Sequence, residues 1–203
     1  MTPATQKARK RSRSPVTMPL LPHVSTLSFG KSQKDPDVTT YSIMNGSEAL
    51  AFTIGGAISP FELSSLMENA PRKTLTLKLP KIWEDAIDVW ESELMVYMKA
   101  ARATYFGQEV TEDEVATLYK SFTKKVGEYP RQLNLKVNTT GFHSVRYWDT
   151  EKRSMTPPTT HSLSQFNARC SVRSLWISKD GWGCVVDGHD LQLIQQIPEE
   201  CPF

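Results

Sequence analysis

The sequence is poor in cysteine and has no pattern in what it has. Cys170, Cys184 and Cys201 are odd in number and far apart, so neither a disulfide framework nor a CxxC zinc pair can be built, and a reducing compartment is expected. Long apolar runs are also missing; nothing approaches the ~20 residues a membrane-spanning helix needs, so no membrane partner is expected. The N-terminal charges have no apolar core behind them, which argues against a secretory signal. Catalytic signatures are absent: there is no P-loop, no GxSxG and no HExxH, and His23, His143, His161 and His189 are scattered. No enzyme activity, cofactor or metal is therefore expected. The nearest approach to a metal or nuclease site is Asp187-Gly-His189-Asp190, which a polar turn between two strands explains more simply.

Charge of one sign is missing from each end. Residues 1–14 hold five cations (Lys7, Arg9, Lys10, Arg11, Arg13) and no acid, while residues 180–203 hold five acids and no Lys or Arg. Residues 131–179 hold eight Lys or Arg against two acids, so a chain of net charge only +2 is strongly segregated. Residues 1–22 read as a disordered basic arm, suited to nuclear import or to grasping nucleic acid. The remainder has the composition of one soluble domain, 39% hydrophobic and 23% charged over 203 residues in all. It spans residues 23–197, and residues 198–203 form a short acidic tail.

Strand patterns recur along this domain. YSIM, ALAFTI and KTLTLKL are rich in β-formers, with a turn at Asn45-Gly46; Gly55-Gly56 and Pro60 break the run before a short helical piece near 60–68. A helical insertion over about 81–126 follows. In its first helix Trp83, Ile87, Trp90, Leu94 and Tyr97 form one apolar stripe, which makes both tryptophans core residues rather than stacking platforms. A second helix opens with a capping box at Thr111-Glu-Asp-Glu114 and runs through Phe122. Strands return in LNLKV and HSVRYW. The stretch 150–164 reads as a mobile polar loop, and DLQLIQQI closes the domain.

Residues 171–186, SVRSLWISKDGWGCVV, read as a hairpin turning at Asp180-Gly181, with Lys179 opposite Trp182 and Trp176 opposite Val185. Leu175, Ile177, Cys184 and Val186 then share an apolar face. Trp176 falls on the polar face, among Ser174, Ser178 and Gly183. Pooling the outward residues of the later strands collects Asn134, Lys136, Arg146, Trp148, Ser174, Trp176 and Ser178, a basic face with two tryptophans and almost nothing aliphatic. Such a face suits single-stranded nucleic acid, whose bases stack on flat rings and whose phosphates meet cations. Arg173 and Lys179 extend it along the hairpin, and Lys152 and Arg153 sit on the loop that could close over a bound strand. Packing of the helices onto this face is the competing structural explanation.

The layout resembles the OB-fold single-stranded DNA-binding proteins of podophages and large eukaryotic DNA viruses. Strands precede a helical insertion ending at EYP; then come RQLNLKV, VRYWD, a polar loop and the closing hairpin. Members end in a hairpin matched here by Leu175-Trp176-Ile177 and by Gly183 to Val186, and the likeness covers roughly residues 40–197. The resemblance implies an α+β, mainly β chain: an OB-like five-stranded partly open barrel with a two-helix insertion. It also implies base-stacking, sequence-independent binding of single-stranded DNA in replication, recombination or repair. Glu199, Glu200 and Phe203 resemble the acidic, aromatic-tipped tail with which such proteins recruit replication partners, though only two acids adjoin the tip. A nucleus or a viral replication site is the implied location. The reading stays open between DNA and RNA, which 2′-OH contacts distinguish, and a homo-oligomer is compatible with it. The alternative is a viral or nuclear structural adaptor whose basic arm alone touches nucleic acid.

Overall fold

The computed structural model describes residues 21–65, 67 and 69–197. The arm cations Lys7, Arg9, Lys10, Arg11 and Arg13 and the tail residues Glu199, Glu200 and Phe203 lie outside the described residues. Leu21, at the end of the expected arm, packs against the core.

Among the described residues, eleven strands and three helices follow a 3-10 turn at Val24–Thr26. They are β1 (Leu27–Lys34), β2 (Val38–Asn45), β3 (Glu48–Ser59), β4 (Arg72–Lys78), α1 (Lys81–Ala100), α2 (Arg102–Tyr105) and α3 (Glu112–Thr117), then β5 (Tyr119–Lys120) and β6 (Thr123–Lys124). The chain continues through β7 (Gln132–Asn138), β8 (Arg146–Trp148), β9 (Ser154–Met155), β10 (Ser164–Ser178) and β11 (Gly181–Gln196). Among the described residues no helix is long and apolar enough to cross a membrane.

Five strands close a ring. β3 pairs antiparallel with β4, β4 with β7, and β11 with β10, which returns antiparallel to β3; β7 and β11 run parallel. The β3–β4 and β7–β11 junctions rest on single residue pairs, Ile58 with Lys78 and Lys136 with Asp187, so the barrel is partly open. This is the OB-like architecture. β2 pairs with the outer end of β10 at Ser174–Ser178, and β1 continues that flap.

Alternation fills the barrel from inside: Leu75, Leu77, Leu133, Leu135, Val137, Phe166 and Leu191 are buried. The stripe of α1 joins the same core through Trp83, Ile87, Trp90, Leu94 and Met98, as its spacing requires. Trp182 ties the insertion to the barrel. Its indole Nε1 donates to the Val115 carbonyl at 2.7 Å, and its ring meets Tyr119 and Phe106.

Several local expectations are corrected. Gly55-Gly56 bends β3 without ending it: Gly56 adopts a φ of 70°, its N–H donates to Asn167 Oδ1 and its carbonyl accepts from Gln165 Nε2. Residues 60–65 form no helix; Ser64 bridges Thr74 instead. The capping box at Thr111 forms, but its helix stops at Thr117, because Tyr119 and Lys120 pair with Trp182 and Gly183 of β11. The hairpin turns one residue earlier than expected, at Lys179-Asp180, with Ser178 opposite Gly181. The Ser178 hydroxyl closes that turn, donating to the Gly181 carbonyl and accepting from the Asp180 N–H. Trp176 therefore faces Gly183, but the two faces are unchanged, since pairing moved by one residue on each strand. Asp187–Asp190 is no turn; it lies inside β11, where the pairing shifts between Arg169 and Cys170. Cys170 and Cys184 are buried free thiols.

Two glycines make the closure geometrically possible. A Cβ on Gly183 would stand 2.3 Å from the Lys120 carbonyl oxygen, and one on Gly188 would stand 2.7 Å from Leu135 Cδ2. The half-buried Trp176 ring covers Gly183, with Cζ2 3.4 Å from where that Cβ would be, which accounts for an aromatic residue on the polar face. Gly188→Ala forces Leu135 and Val137 apart, and overpacking of this kind costs about 1–3 kcal/mol. A urea midpoint lowered accordingly, with an unchanged m-value, is the expected result.

Candidate nucleic-acid interface

The outward residues of β4 are Arg72, Thr74, Thr76 and Lys78; those of β7 are Gln132, Asn134, Lys136 and Asn138. They oppose one another in pairs, Arg72 with Asn138, Thr74 with Lys136, Thr76 with Asn134 and Lys78 with Gln132. The alternation that sends the leucines inward leaves this strip with three cations, no acid and no aliphatic residue. Its side chains cross-link: Lys136 Nζ donates to Thr74 Oγ1 at 2.8 Å, and Thr76 Oγ1 to Asn134 Oδ1 at 3.2 Å.

Exposed aromatics stand at both ends of β7. Phe142 is 98% exposed at the tip of the turn joining β7 to β8, beside His143; Tyr129 is 67% exposed just before β7, following Lys124 and Lys125. The first turn is rigidly made. Ser144 N–H donates to the Gly141 carbonyl, Val145 N–H to the Asn138 carbonyl, and Gly141 takes a φ of 84°.

At the Phe142 end the strip opens into a groove of about 730 Å³ lined by Arg72, Lys136, Arg146, Arg173, Asp187 and His189, among others. Two depressions adjoin it, one bringing in Arg169 and Ser171, the other Trp148, Lys152 and Gln192. Across the groove and its depressions six cations (Arg72, Lys136, Arg146, Lys152, Arg169, Arg173) thus accompany three carboxylates, Glu48, Asp187 and Asp190. Arg72 and Arg173 both bind Asp187, the latter through Nε at 3.1 Å. Arg146 Nε binds Asp190 at 2.8 Å, Arg169 Nη1 at 3.4 Å, and Trp148 Nε1 donates to the same carboxylate at 2.9 Å. Partial burial opposes ionisation of Asp190, but the Arg146 and Trp148 donors outweigh it and hold the carboxyl below its usual range. Four arginines thus converge on two carboxylates whose side chains are mostly enclosed.

The sequence-predicted residues divide. Lys136, Arg146 and Arg173 meet in the groove, with Trp148 and Lys152 at its margin. Arg146 lies over the half-buried Trp148 ring, 5.7 Å from its centroid. Arg153 is engaged locally, by Asp149 and Glu151 at 2.9 Å each. Trp176 and Lys179 lie toward the hairpin tip. Of the two tryptophans expected on one face, Trp148 pairs beside Gln192 and Trp176 beside Gly183, nine positions apart and toward opposite ends of β11. Sequence reasoning missed Arg72, Lys78, Arg169, Tyr129 and Phe142. Arg72 and Lys78 were findable, because KTLTLKL already shows the alternation that turns them outward; Phe142 and Tyr129 sit in loops, where no periodicity applies.

No protein-family model matches the sequence, and no curated protein matches it. Among solved structures, the crystal structure of gp2.5, a single-stranded DNA-binding protein encoded by bacteriophage T7, is similar with a TM-score of 0.50 and 13% identity, over 74% of this chain and 89% of that one. The single-stranded DNA-binding protein of bacteriophage Enc34, solved in complex with single-stranded DNA, aligns at a TM-score of 0.47 and 10% identity over 84% of this chain and 97% of that one. The likeness to the T7 protein extends to the fold.

The polar stretch 150–164 is fastened rather than mobile. Asp149 Oδ1 accepts the Glu151 and Arg153 N–H groups, and β8 and β9 pair across the turn. Farther on, Glu62 accepts from the Thr160 hydroxyl and from the His161 and Ser162 N–H groups, while the buried His161 bonds the Tyr147 hydroxyl at 2.8 Å. Desolvation works against ionisation of Glu62, yet these donors bring its pKa down from 4.5 to about 2. A carboxyl depressed on folding contributes stability that is complete above its ordinary value and is lost as pH falls through the folded value. The clasp is accordingly expected to loosen between pH 4.5 and about 2. At neutral pH, Glu62→Gln should speed amide exchange at His161 and Ser162, by no more than about tenfold because solvent screens a half-exposed carboxylate. Equal exchange rates in the two proteins would show that Glu62 does not hold the loop.

Proposed function

We propose that this chain binds single-stranded DNA without sequence preference, along the outward face of β4 and β7 and over the arginine groove at its end. The observation that carries the reading is that strip: eight outward residues with three cations and no acid, flanked by exposed Phe142 and Tyr129. β4 and β7 are the second and third strands of the five-strand ring, the position at which OB folds take oligonucleotides. The T7 protein that shares the fold is described as binding single-stranded DNA, which supports DNA as the ligand. Bases stack on Phe142 and Tyr129, while phosphates meet Arg72, Lys78 and Lys136, with Arg146, Arg169 and Arg173 where the strand turns into the groove. Stacking accepts any base, because every base has a π-face, and the cations add affinity that falls with salt. A binder of this kind serves DNA replication, recombination or repair, in a nucleus or at a viral replication site.

The test is anisotropy of labelled oligo-dT titrated with the full chain across a range of salt. One base stack is worth about 1–3 kcal/mol, so Phe142→Ala should weaken binding roughly 5- to 150-fold, and considerably more than Trp176→Ala. Lys136→Ala should make the slope of log K against log salt shallower by about 0.7, the value of one phosphate contact on a single strand. If instead both variants bind like the parent, and affinity disappears only when Lys7, Arg9, Lys10, Arg11 and Arg13 are replaced by Gln, the protein is an adaptor with a basic arm.

A further inference from the structure

We propose that Asp187 and Asp190 are positioning residues for nucleic-acid binding, each holding two guanidiniums from different strands so that phosphates dock between arginines already in place. The inference rests on the function proposed above and deepens it, since a carboxylate in a phosphate-binding surface is otherwise a repulsive group.

The geometry carries it. Asp187 lies on β11 between Arg72, reaching across from β4, and Arg173 of β10. Arg173 is the residue that the β10–β11 register leaves without a partner between Val172 and Ser174, so a local irregularity presents it at the groove. Three positions along β11, Asp190 receives Arg146 from β8 and Arg169 from β10, with the Trp148 indole N–H as a further donor. The carboxylates are largely enclosed, with side chains 17% and 14% exposed, whereas the Arg146, Arg169 and Arg173 side chains are 53–60% exposed. The acids are therefore more enclosed than the arginines they hold, of which Arg72 is the least exposed at 35%. Each guanidinium has five N–H donors in a rigid fork. The carboxylate contacts leave others free for a phosphate oxygen. An arginine already restrained loses less conformational freedom when it binds than one free in solvent, which is the advantage of preorganisation.

The two roles predict opposite signs. A carboxylate that only dampens the positive field would, once neutralised, let DNA bind more tightly. One that positions arginines would, once neutralised, let binding weaken even though net positive charge has risen. Labelled oligo-dT is titrated with full-length protein, with Asp187→Asn and with Asp190→Asn, over a range of salt. The expected result is a threefold or greater loss of affinity for each variant and a salt slope shallower by about 0.7 for every phosphate that is no longer neutralised. In an Arg146→Ala, Arg169→Ala background, Asp190→Asn should no longer weaken binding and should instead leave it equal or tighter, because the groups it positions are gone and only a repulsive carboxylate is removed. In the single Asn variants, affinity that is unchanged or improved, with the parent slope, would overturn the inference. Should the Asn variants melt below the assay temperature, Arg146→Lys with Arg169→Lys tests the same point, keeping the charge and removing the fork. A threefold loss in that pair supports positioning, and parent-like binding refutes it. Parent protein that fails to bind oligo-dT at low salt would refute the proposed function itself. Parent binding with indifferent Asp→Asn variants refutes only the positioning role.

Discussion

Everything in this molecule depends on β11 lying close enough against its neighbours for the barrel to shut. The long β10–β11 pairing brings the strand there, but contact with β7 and β5 requires positions without side chains. Gly188 lets β11 cross Leu135 and Val137 from inside, and Gly183 lets the β5 backbone approach from the insertion. Interiors are packed nearly as densely as crystals, so one methyl at either place must displace something. The closure then sets the outside of the barrel: once β7 and β11 touch at Lys136 and Asp187, their outward side chains belong to one surface.

That surface is organised by charge, not by apolar contact. Apolar residues of the later strands face inward, leaving threonine, asparagine, lysine and arginine on the outer wall of β4 and β7. Nothing aliphatic there competes with a ligand, and α1 spends its apolar stripe on the core rather than on this wall. The carboxylates at 187 and 190 belong to the same logic. Alone they would oppose an anionic ligand; flanked by two arginines each, they leave the groove and its depressions with six cations against three acids.

The irregular places matter as much as the regular ones. The register shift at Arg173 and the one beside His189 re-aim side chains into the groove, as bulges commonly do. The Phe142 turn is tight enough to hold a fully exposed ring beside the cations, and Glu62 pins the far end of the polar loop against the barrel. Trp176, which looked from its neighbours like a stacking residue, is half-buried over Gly183.

Much of this was legible in the residues. Period-two alternation in KTLTLKL and LNLKV separated inner from outer faces, the spacing of Trp83, Ile87, Trp90 and Leu94 marked a buried helix stripe, and Thr111 with Glu114 marked a helix start. These are short-range properties, in which the period of the backbone dictates which side chains share a side. Helix length after Thr117 was not legible, because the competitor for Tyr119 and Lys120 is a strand some sixty positions away. For the same reason the pairing of Arg72 and Arg173 on one carboxylate could not be read from the chain. The local pattern determined which residues point outward; only the closing of the barrel decided which of them meet, because contacts across a ring of strands depend on register and curvature that no single segment contains.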